Sequence, residues 1–377
     1  MTDSYTRCRN KLIYSAYAHV LKPLFFRSDP EAIHDRMTKV GARLGRHSWG
    51  RAITGGLFDY QNDMLRQNIL GLEFKNPIGL SAGFDKNAEL TDILPSVGFG
   101  FAEAGSITGE SCEGNPKPRL WRLPASQSLV VYYGLKNDGC EAIAARLKDK
   151  HARRPFAIPV GISVAMTNCS ANLETGHAVA DFVKAFRVME PYASYITVNV
   201  SCPNIQAGQP FTEPDKLERL LSALDPIPTT KPVFIKLSPD LSHAEIDRIL
   251  EVARPHRVQG IITTNLTKNR DNPRILDADV PKVGGLSGKV VQEGADDALA
   301  YIYKKEGKRF LFIGSGGVFT AEDAYKKIRL GASLVQLITG MIYEGPQVVG
   351  EINRGLVALL KRDGFANMSQ AIGVDNC

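Results

Sequence analysis

The stretch Tyr195-Ile-Thr-Val-Asn-Val-Ser-Cys-Pro-Asn204 decides the fold. Tyr195, Ile196, Val198 and Val200 read as a buried strand, and Pro203, which has no N–H to give to a ladder, ends it. Polar side chains then gather at the strand's C-terminal end, where a parallel α/β barrel carries its chemistry. Asn199 and Asn204 each offer two donors and an acceptor, and Cys202 between them carries the only titratable hydrogen of the group. A thiol between fixed amides is a candidate proton acceptor, provided its pKa moves toward the working pH. Ser201 is its nearest competitor, but strand alternation sends neighbouring side chains to opposite faces, so only one of the two faces the site.

Outward from this stretch, short apolar runs alternate with helical patterns from Asn76 onward, the mark of repeated βα units. Eight core strands are expected: Ile78–Ala82, Phe101–Gly105, Ile158–Val164, Ile196–Val200, Val233–Leu237, Gly260–Thr264, Phe310–Gly314 and Leu334–Ile338. Eight units predict a (β/α)8 TIM barrel over residues 51–377. Gly109–Arg122, with Gly114, Pro116 and Pro118, is a long excursion after the second strand, and such loops are usually functional or mobile.

Residues 1–50 form a small helical appendage. Ile13, Tyr17, Val20, Leu21, Leu24 and Phe25 make one apolar stripe beside Lys11, Lys22 and Arg27. Asp29 caps a second helix, with Pro30 at its first position, Glu31 in its first turn, and Ile33, Met37, Val40 and Leu44 as its stripe. Such helices lie in a membrane interface or pack on the domain; periodicity alone leaves both open.

The chain has 377 residues, 44% apolar and 23% charged, enough for one large domain with an appendage. Its net charge of +6 suits an anionic substrate, a cofactor phosphate or an acidic membrane surface, and is too small to argue for nucleic acid. Cys8, Cys112, Cys140, Cys169, Cys202 and Cys377 lack the spacing of a zinc site or a redox pair, so no metal is expected and the thiols read as reduced. No cleavable signal and no apolar run of roughly twenty residues is present, so a spanning helix is not expected.

Two further segments carry chemistry. In Asn76–Leu90, small residues at Ala82 and Gly83 let a flat ligand approach the backbone, and Lys86 can balance an anion. In Phe310–Ile328, a strand, a glycine-rich turn and a helix, the N–H groups of Gly316 and Gly317 can converge on a phosphate, and the next strand ends at Thr339 and Gly340. Loops after the seventh and eighth strands are where barrels hold a phosphate, which favours FMN over NAD. Gly98 and Gly100 fail as a dinucleotide fingerprint, because Glu103 stands where the third glycine belongs. Lys236, on an otherwise apolar strand, needs a partner or an anionic ligand, and reads as facing the cofactor.

Together these segments resemble the dihydroorotate dehydrogenases, flavin enzymes of pyrimidine biosynthesis, from about Tyr17 to the last helix. The N-terminal part is similar to the membrane-associated, quinone-dependent class. That class usually has Ser where this chain has Cys202, and Cys is the habit of the soluble classes. The resemblance implies oxidation of dihydroorotate to orotate with Cys202 as the base, electrons leaving to a quinone, and a peripheral place on the cytoplasmic side of a membrane. It implies FMN contacts at Ala82, Gly83, Lys86, Ser106, Ser163, Asn199, Lys236, Thr264, Ser287, Gly288, Gly316, Gly317, Thr339 and Gly340. Substrate contacts fall at Lys86, Asn137, Asn199, Asn204 and Asn265, and a quinone tunnel at His19 and Arg122. The pattern departs at Val131, where the family has Asn, at Leu266, where it has Thr, at Ser163, where that class has Asn, and at Ile338, where a Tyr is expected. A different cyclic substrate or a soluble electron acceptor therefore stays open. So do a reductase of uridine in transfer RNA, against which stands the lack of an RNA-binding appendage, and a flavin-binding protein without turnover.

Overall fold

Apolar strands joined by amphipathic helices bury both faces when the sheet closes on itself. The computed structural model describes residues 3–205 and 211–376, so Cys377 lies outside the described residues. In chain order the strands are β1 (Gln67–Ile69), β2 (Leu72–Phe74), β3 (Ile78–Leu80), β4 (Phe101–Ile107), β5 (Leu120–Leu123), β6 (Ser128–Val131), β7 (Val160–Val164), β8 (Tyr195–Val198), β9 (Val233–Leu237), β10 (Gly260–Thr263), β11 (Gly285–Gly288), β12 (Leu311–Ser315) and β13 (Leu334–Leu337). Strands β3, β4, β7, β8, β9, β10, β12 and β13 close into a parallel barrel in that order, with β13 pairing back to β3. All eight expected core strands are present, with ends shifted by a residue or two.

The barrel interior is built in layers. Its N-terminal end is filled by Phe101, Tyr195, Phe234, Ile262, Ile313 and Leu334, and Phe74 of the β1–β2 hairpin plugs it. Glycines make room for the rings. Gly79 pairs with Phe101, Gly161 with Tyr195 and Gly260 with Phe234 across adjacent strands, and a Cβ on each would fall 2.1 to 2.3 Å from the partner's ring. Further up, Glu103 Oε2 accepts hydrogen bonds from Thr197 (2.9 Å), Gln336 (3.2 Å) and Tyr195 (3.3 Å).

The sequence periodicity does not disclose two antiparallel elements. One is the plugging hairpin. The other is a sheet of β5, β6 and β11 beside the mouth, into which the excursion after β4 feeds. The appendage comprises α1 (Asp3–Ala16), a π-helical turn Tyr17–Leu21, α2 (Lys22–Phe26), α3 (Pro30–Arg46) and α4 (Ser48–Phe58), and α4 runs across residue 50. Asp29 caps α3 as expected, accepting from Ala32 N at 2.8 Å. Glu31 does more than complement the helix dipole, because it is buried and clamps α3 to the barrel. Arg119 holds it through two nitrogens at 2.8 and 3.0 Å, and Lys136 at 3.3 Å. Burial pushes its carboxyl up, but these cations outweigh that and hold it at about 2.

The two apolar stripes divide. Tyr17 is buried, its hydroxyl donating to Ile342 O at 2.6 Å, and Phe26 packs edge-on to Tyr343. Val20, Leu21, Leu24, Met37 and Val40 face outward, joined by Trp49, Ile53 and Leu57 of α4. Among the described residues no helix is long and apolar enough to cross a membrane.

Candidate functional site

At the C-terminal mouth, between the barrel, the β5–β6–β11 sheet and the appendage, lies a cavity of about 1250 Å³ counting its open entrance. All the expected cofactor residues line it except Ser163, which sits fully buried one step behind, its Oγ 2.8 Å from Ser106 Oγ. On one side Gly316 (φ 104°) and Gly317 (φ 75°) form a left-handed turn after β12. A Cβ at Gly317 would stand 2.3 Å from Gln292 Cβ, and one at Gly340 2.1 Å from Val318 O. Only bare backbone fits there, which leaves N–H groups uncovered for an anion. Ser287 and Thr339 hydroxyls meet at 2.8 Å beside this cradle.

On the other side the polar groups brace one another. Asn199 Nδ2 donates to Ser106 Oγ (2.9 Å), and Asn265 Nδ2 donates to Asn199 Oδ1 (3.1 Å) and Ser201 Oγ (3.2 Å). Ser201 turns inward and donates to Lys236 O at 2.6 Å, while Cys202 lines the cavity, both in the turn that follows β8 and not on the strand itself. Lys236 is buried with its Nζ on Ser81 Oγ at 3.1 Å, and no carboxylate among the described residues lies within 4 Å of it. Glu103 acts on it only from beyond ion-pair distance, so the ammonium stays open to an electron-rich ligand.

The expectation for the thiol is overturned in direction. Burial pushes Cys202 up to about 11, against the opposing pull of Asn204 N–H, Lys268 and Lys236. The opposite happens at Lys86, which burial brings down to about 8 while its Nζ sits 3.9 Å from the Tyr133 ring centre.

Three expected residues do not line the cavity. Asn137 is buried behind it, its amide donating to Thr108 Oγ1 and Leu135 O and accepting from Gly139 N. His19 is exposed on the π-helical turn. Arg122 donates to Ser28 O at 2.8 Å and covers the Phe26 ring, tying the appendage to β5. The imidazole that does reach the cavity is His34 of α3, its Nε2 2.8 Å from Phe84 O and its pKa pushed down to about 4 by burial. Sequence reasoning missed it, although it lies three residues after the buried Glu31 and so on the same helix face. Val131 and Leu266 both line the wall, and Val131 O accepts from Asn204 Nδ2 at 2.9 Å. No group of three or more His, Cys, Asp or Glu among the described residues is placed to hold a metal ion.

This arrangement can be set beside known proteins. The family model described as dihydroorotate dehydrogenase matches residues 64–360. The dihydroorotate dehydrogenase (quinone) of Crocosphaera subtropica is 39% identical over 362 residues, covering 93% of this chain and 95% of the relative. That of Natronomonas pharaonis is 39% identical over 360 residues, covering 94% and 98%. Among solved structures, the DHODH of Eimeria tenella in complex with ferulenol superposes with a TM-score of 0.82 at 31% identity, covering 92% of this chain and 96% of that one. The chain, with its eight-stranded barrel and its thiol and braced amides at the mouth, belongs to the dihydroorotate dehydrogenase family.

Proposed function

We propose that this chain oxidises dihydroorotate to orotate with FMN as its cofactor and passes the electrons to a quinone at a membrane surface. The observation that carries the reading is the placement of Cys202 and the braced Asn199–Asn265 pair in one cavity with the glycine cradle of Gly316, Gly317 and Gly340. The residues fit FMN. The cradle of Gly316, Gly317 and Gly340 would hold its phosphate, and Lys236, with no ion-pair partner within 4 Å among the described residues, would hold the ring system. A flavin held there would supply the hydride acceptor and the redox link between substrate and quinone.

The chain's own groups do the rest. Asn199, Asn204 and Asn265 hold the ring amides; the bond between Asn199 and Asn265, and that of Asn204 to Val131 O, fix them before substrate arrives. Lys86 faces the carboxylate. Cys202 Sγ takes the proton from the ring carbon beside the one that gives hydride, so the two hydrogens leave to two acceptors held at fixed separation. The β5–β6–β11 sheet and α3 cover the site and exclude water. The outward residues Val20, Leu24, Met37, Trp49 and Ile53 form the face that meets the bilayer from its cytoplasmic side, consistent with basic neighbours such as Lys22 and Arg27.

A second reading, a related cyclic amide as substrate, is favoured by Val131 and Leu266, which put apolar groups in the wall where the family has an amide and a hydroxyl. One experiment addresses both. Denaturation of the purified protein should release FMN, and anaerobic dihydroorotate should bleach the bound flavin, which a soluble quinone should then reoxidise. Bleaching by another cyclic amide but not by dihydroorotate would select the second reading, and no bleaching by any of them would sink both.

A further inference from the structure

Above the aromatic plug the barrel interior carries two buried groups of opposite charge. Glu103 stands two residues after Phe101 on β4, and Lys236 two residues after Phe234 on β9, so strand alternation turns both inward, one layer up from the rings that fill the N-terminal end. Among the described residues neither has an ion-pair partner within 4 Å. An uncompensated charge is expensive in such a place, so each group is the other's only substantial compensation.

The hydrogen bonds set the two toward each other. Glu103 Oε2 accepts from Thr197 on β8, the strand beside the β9 of Lys236, from Gln336 on β13, the strand beside the β3 of Ser81, and from Tyr195 below. Ser81 Oγ is where Lys236 Nζ ends, at 3.1 Å. The carboxylate is therefore fixed through one oxygen by three donors, while Oε1 has no hydrogen-bond partner. Burial pulls the Lys236 pKa down, and Glu103 first, then Cys202, pull it back. Cys202 is pushed up to about 11 and is a neutral thiol at neutral pH, which leaves Glu103 as the standing counter-charge.

We infer that Glu103 is a positioning residue that acts through Lys236: its carboxylate keeps the ammonium charged and seated on Ser81, so that a cation faces the flavin ring. The inference rests on the flavin of the proposed function and deepens it. Glu103 is fully buried and does not line the cavity, so it touches neither substrate nor flavin. The cation it maintains stabilises the negative charge that the ring system gains on reduction.

The test is Glu103→Gln, which keeps the shape and an acceptor oxygen and removes the charge. The midpoint potential of the bound flavin is measured from pH 6 to 9 by reductive titration against reference dyes, with the parent and Lys236→Arg alongside. At pH 6, with Lys236 charged in both, Glu103→Gln should match or exceed the parent, since a negative charge has gone. Toward pH 9 its potential should fall below the parent's, because Lys236 loses its proton about one pH unit or more earlier. Lys86 titrates in parent and variant alike and drops out of the difference. FMN binding by the apoprotein should weaken about tenfold at pH 9 and less than about threefold at pH 6. Parallel potential curves overturn the inference, and so does an equal loss of FMN affinity at both pH values, which a merely structural role would give. Lys236→Arg carries a charge that does not titrate, and its curve should stay parallel to the parent's to about pH 9. Divergence of those two by pH 7 overturns the inference even if Glu103→Gln does not fold. A parent that carries no flavin overturns the proposed function and this inference with it; a parent whose flavin is bleached by dihydroorotate, with Glu103→Gln running parallel to it, overturns this inference alone.

Discussion

The two ends of the barrel use glycine in opposite ways. At the N-terminal end Gly79, Gly161 and Gly260 each give up a side chain so that a ring on the next strand can fill the space, and Phe74 closes what is left. At the C-terminal end Gly316, Gly317 and Gly340 are as intolerant of a Cβ, yet the space beside them stays open as a cavity. One end is a packed aromatic core and the other a cradle. A glycine's meaning here is set by what faces it, and that is a property of the closed barrel.

The largest effect expected from this contrast is at Cys202. Cys202→Ala should slow flavin reduction by about a hundred- to ten-thousandfold while leaving flavin binding and stability near the parent's, since only a positioned proton acceptor is lost. Ser201→Ala should be far milder, because Ser201 points to Lys236 O. If Ser201→Ala is the slow variant and Cys202→Ala is not, the assignment of the mouth is wrong.

Next come the glycines themselves. Gly161→Val should destabilise the fold by at least about 1–3 kcal/mol through overpacking against Tyr195, read as a fall in melting temperature of the apoprotein. Gly340→Val should release the flavin as well as cost stability, read by dialysis and absorbance, whereas Gly161→Val should keep its flavin while folded, and restoring flavin should not rescue it. If both variants lose stability and flavin alike, the two ends are not functionally distinct.

The smallest effect is at the outer face of the appendage. Ile53→Glu with Leu24→Glu should weaken sedimentation with anionic liposomes by about tenfold or more and leave flavin reduction unchanged, since each side chain offers about 1.5–3 kcal/mol of burial in the acyl boundary. Full binding by that variant would contradict the membrane-facing reading.

How much of this is legible in the sequence depends on the range of the interaction. The eight strands and the turn at Gly316 are local patterns, and each stands where the periodicity puts it. The plug at Phe74 and the sheet beside the mouth are short and pair across long separations, so no local pattern announces them. The place of Cys202 just beyond a strand end is legible, but its facing is set by the turn after β8 and the direction of its pKa shift by what covers it. His34 reaches the cavity only when the appendage docks on the mouth, and Asn137 is kept from it by Thr108, Leu135 and Gly139, which claim its amide.

The most direct test of the account is the pH dependence of flavin reduction by saturating dihydroorotate in a single turnover. Burial raises the folded-state pKa of Cys202 to about 11, so the thiolate is scarce at neutrality and grows with pH. The limiting rate should therefore climb by about tenfold per pH unit between 7 and 10. Half-saturation should worsen above pH 8, where Lys86 loses its charge. Cys202→Ser should be slower with its midpoint shifted upward, and Cys202→Ala should show no such climb. A limiting rate that is flat from pH 6 to 10 would contradict Cys202 as the proton acceptor.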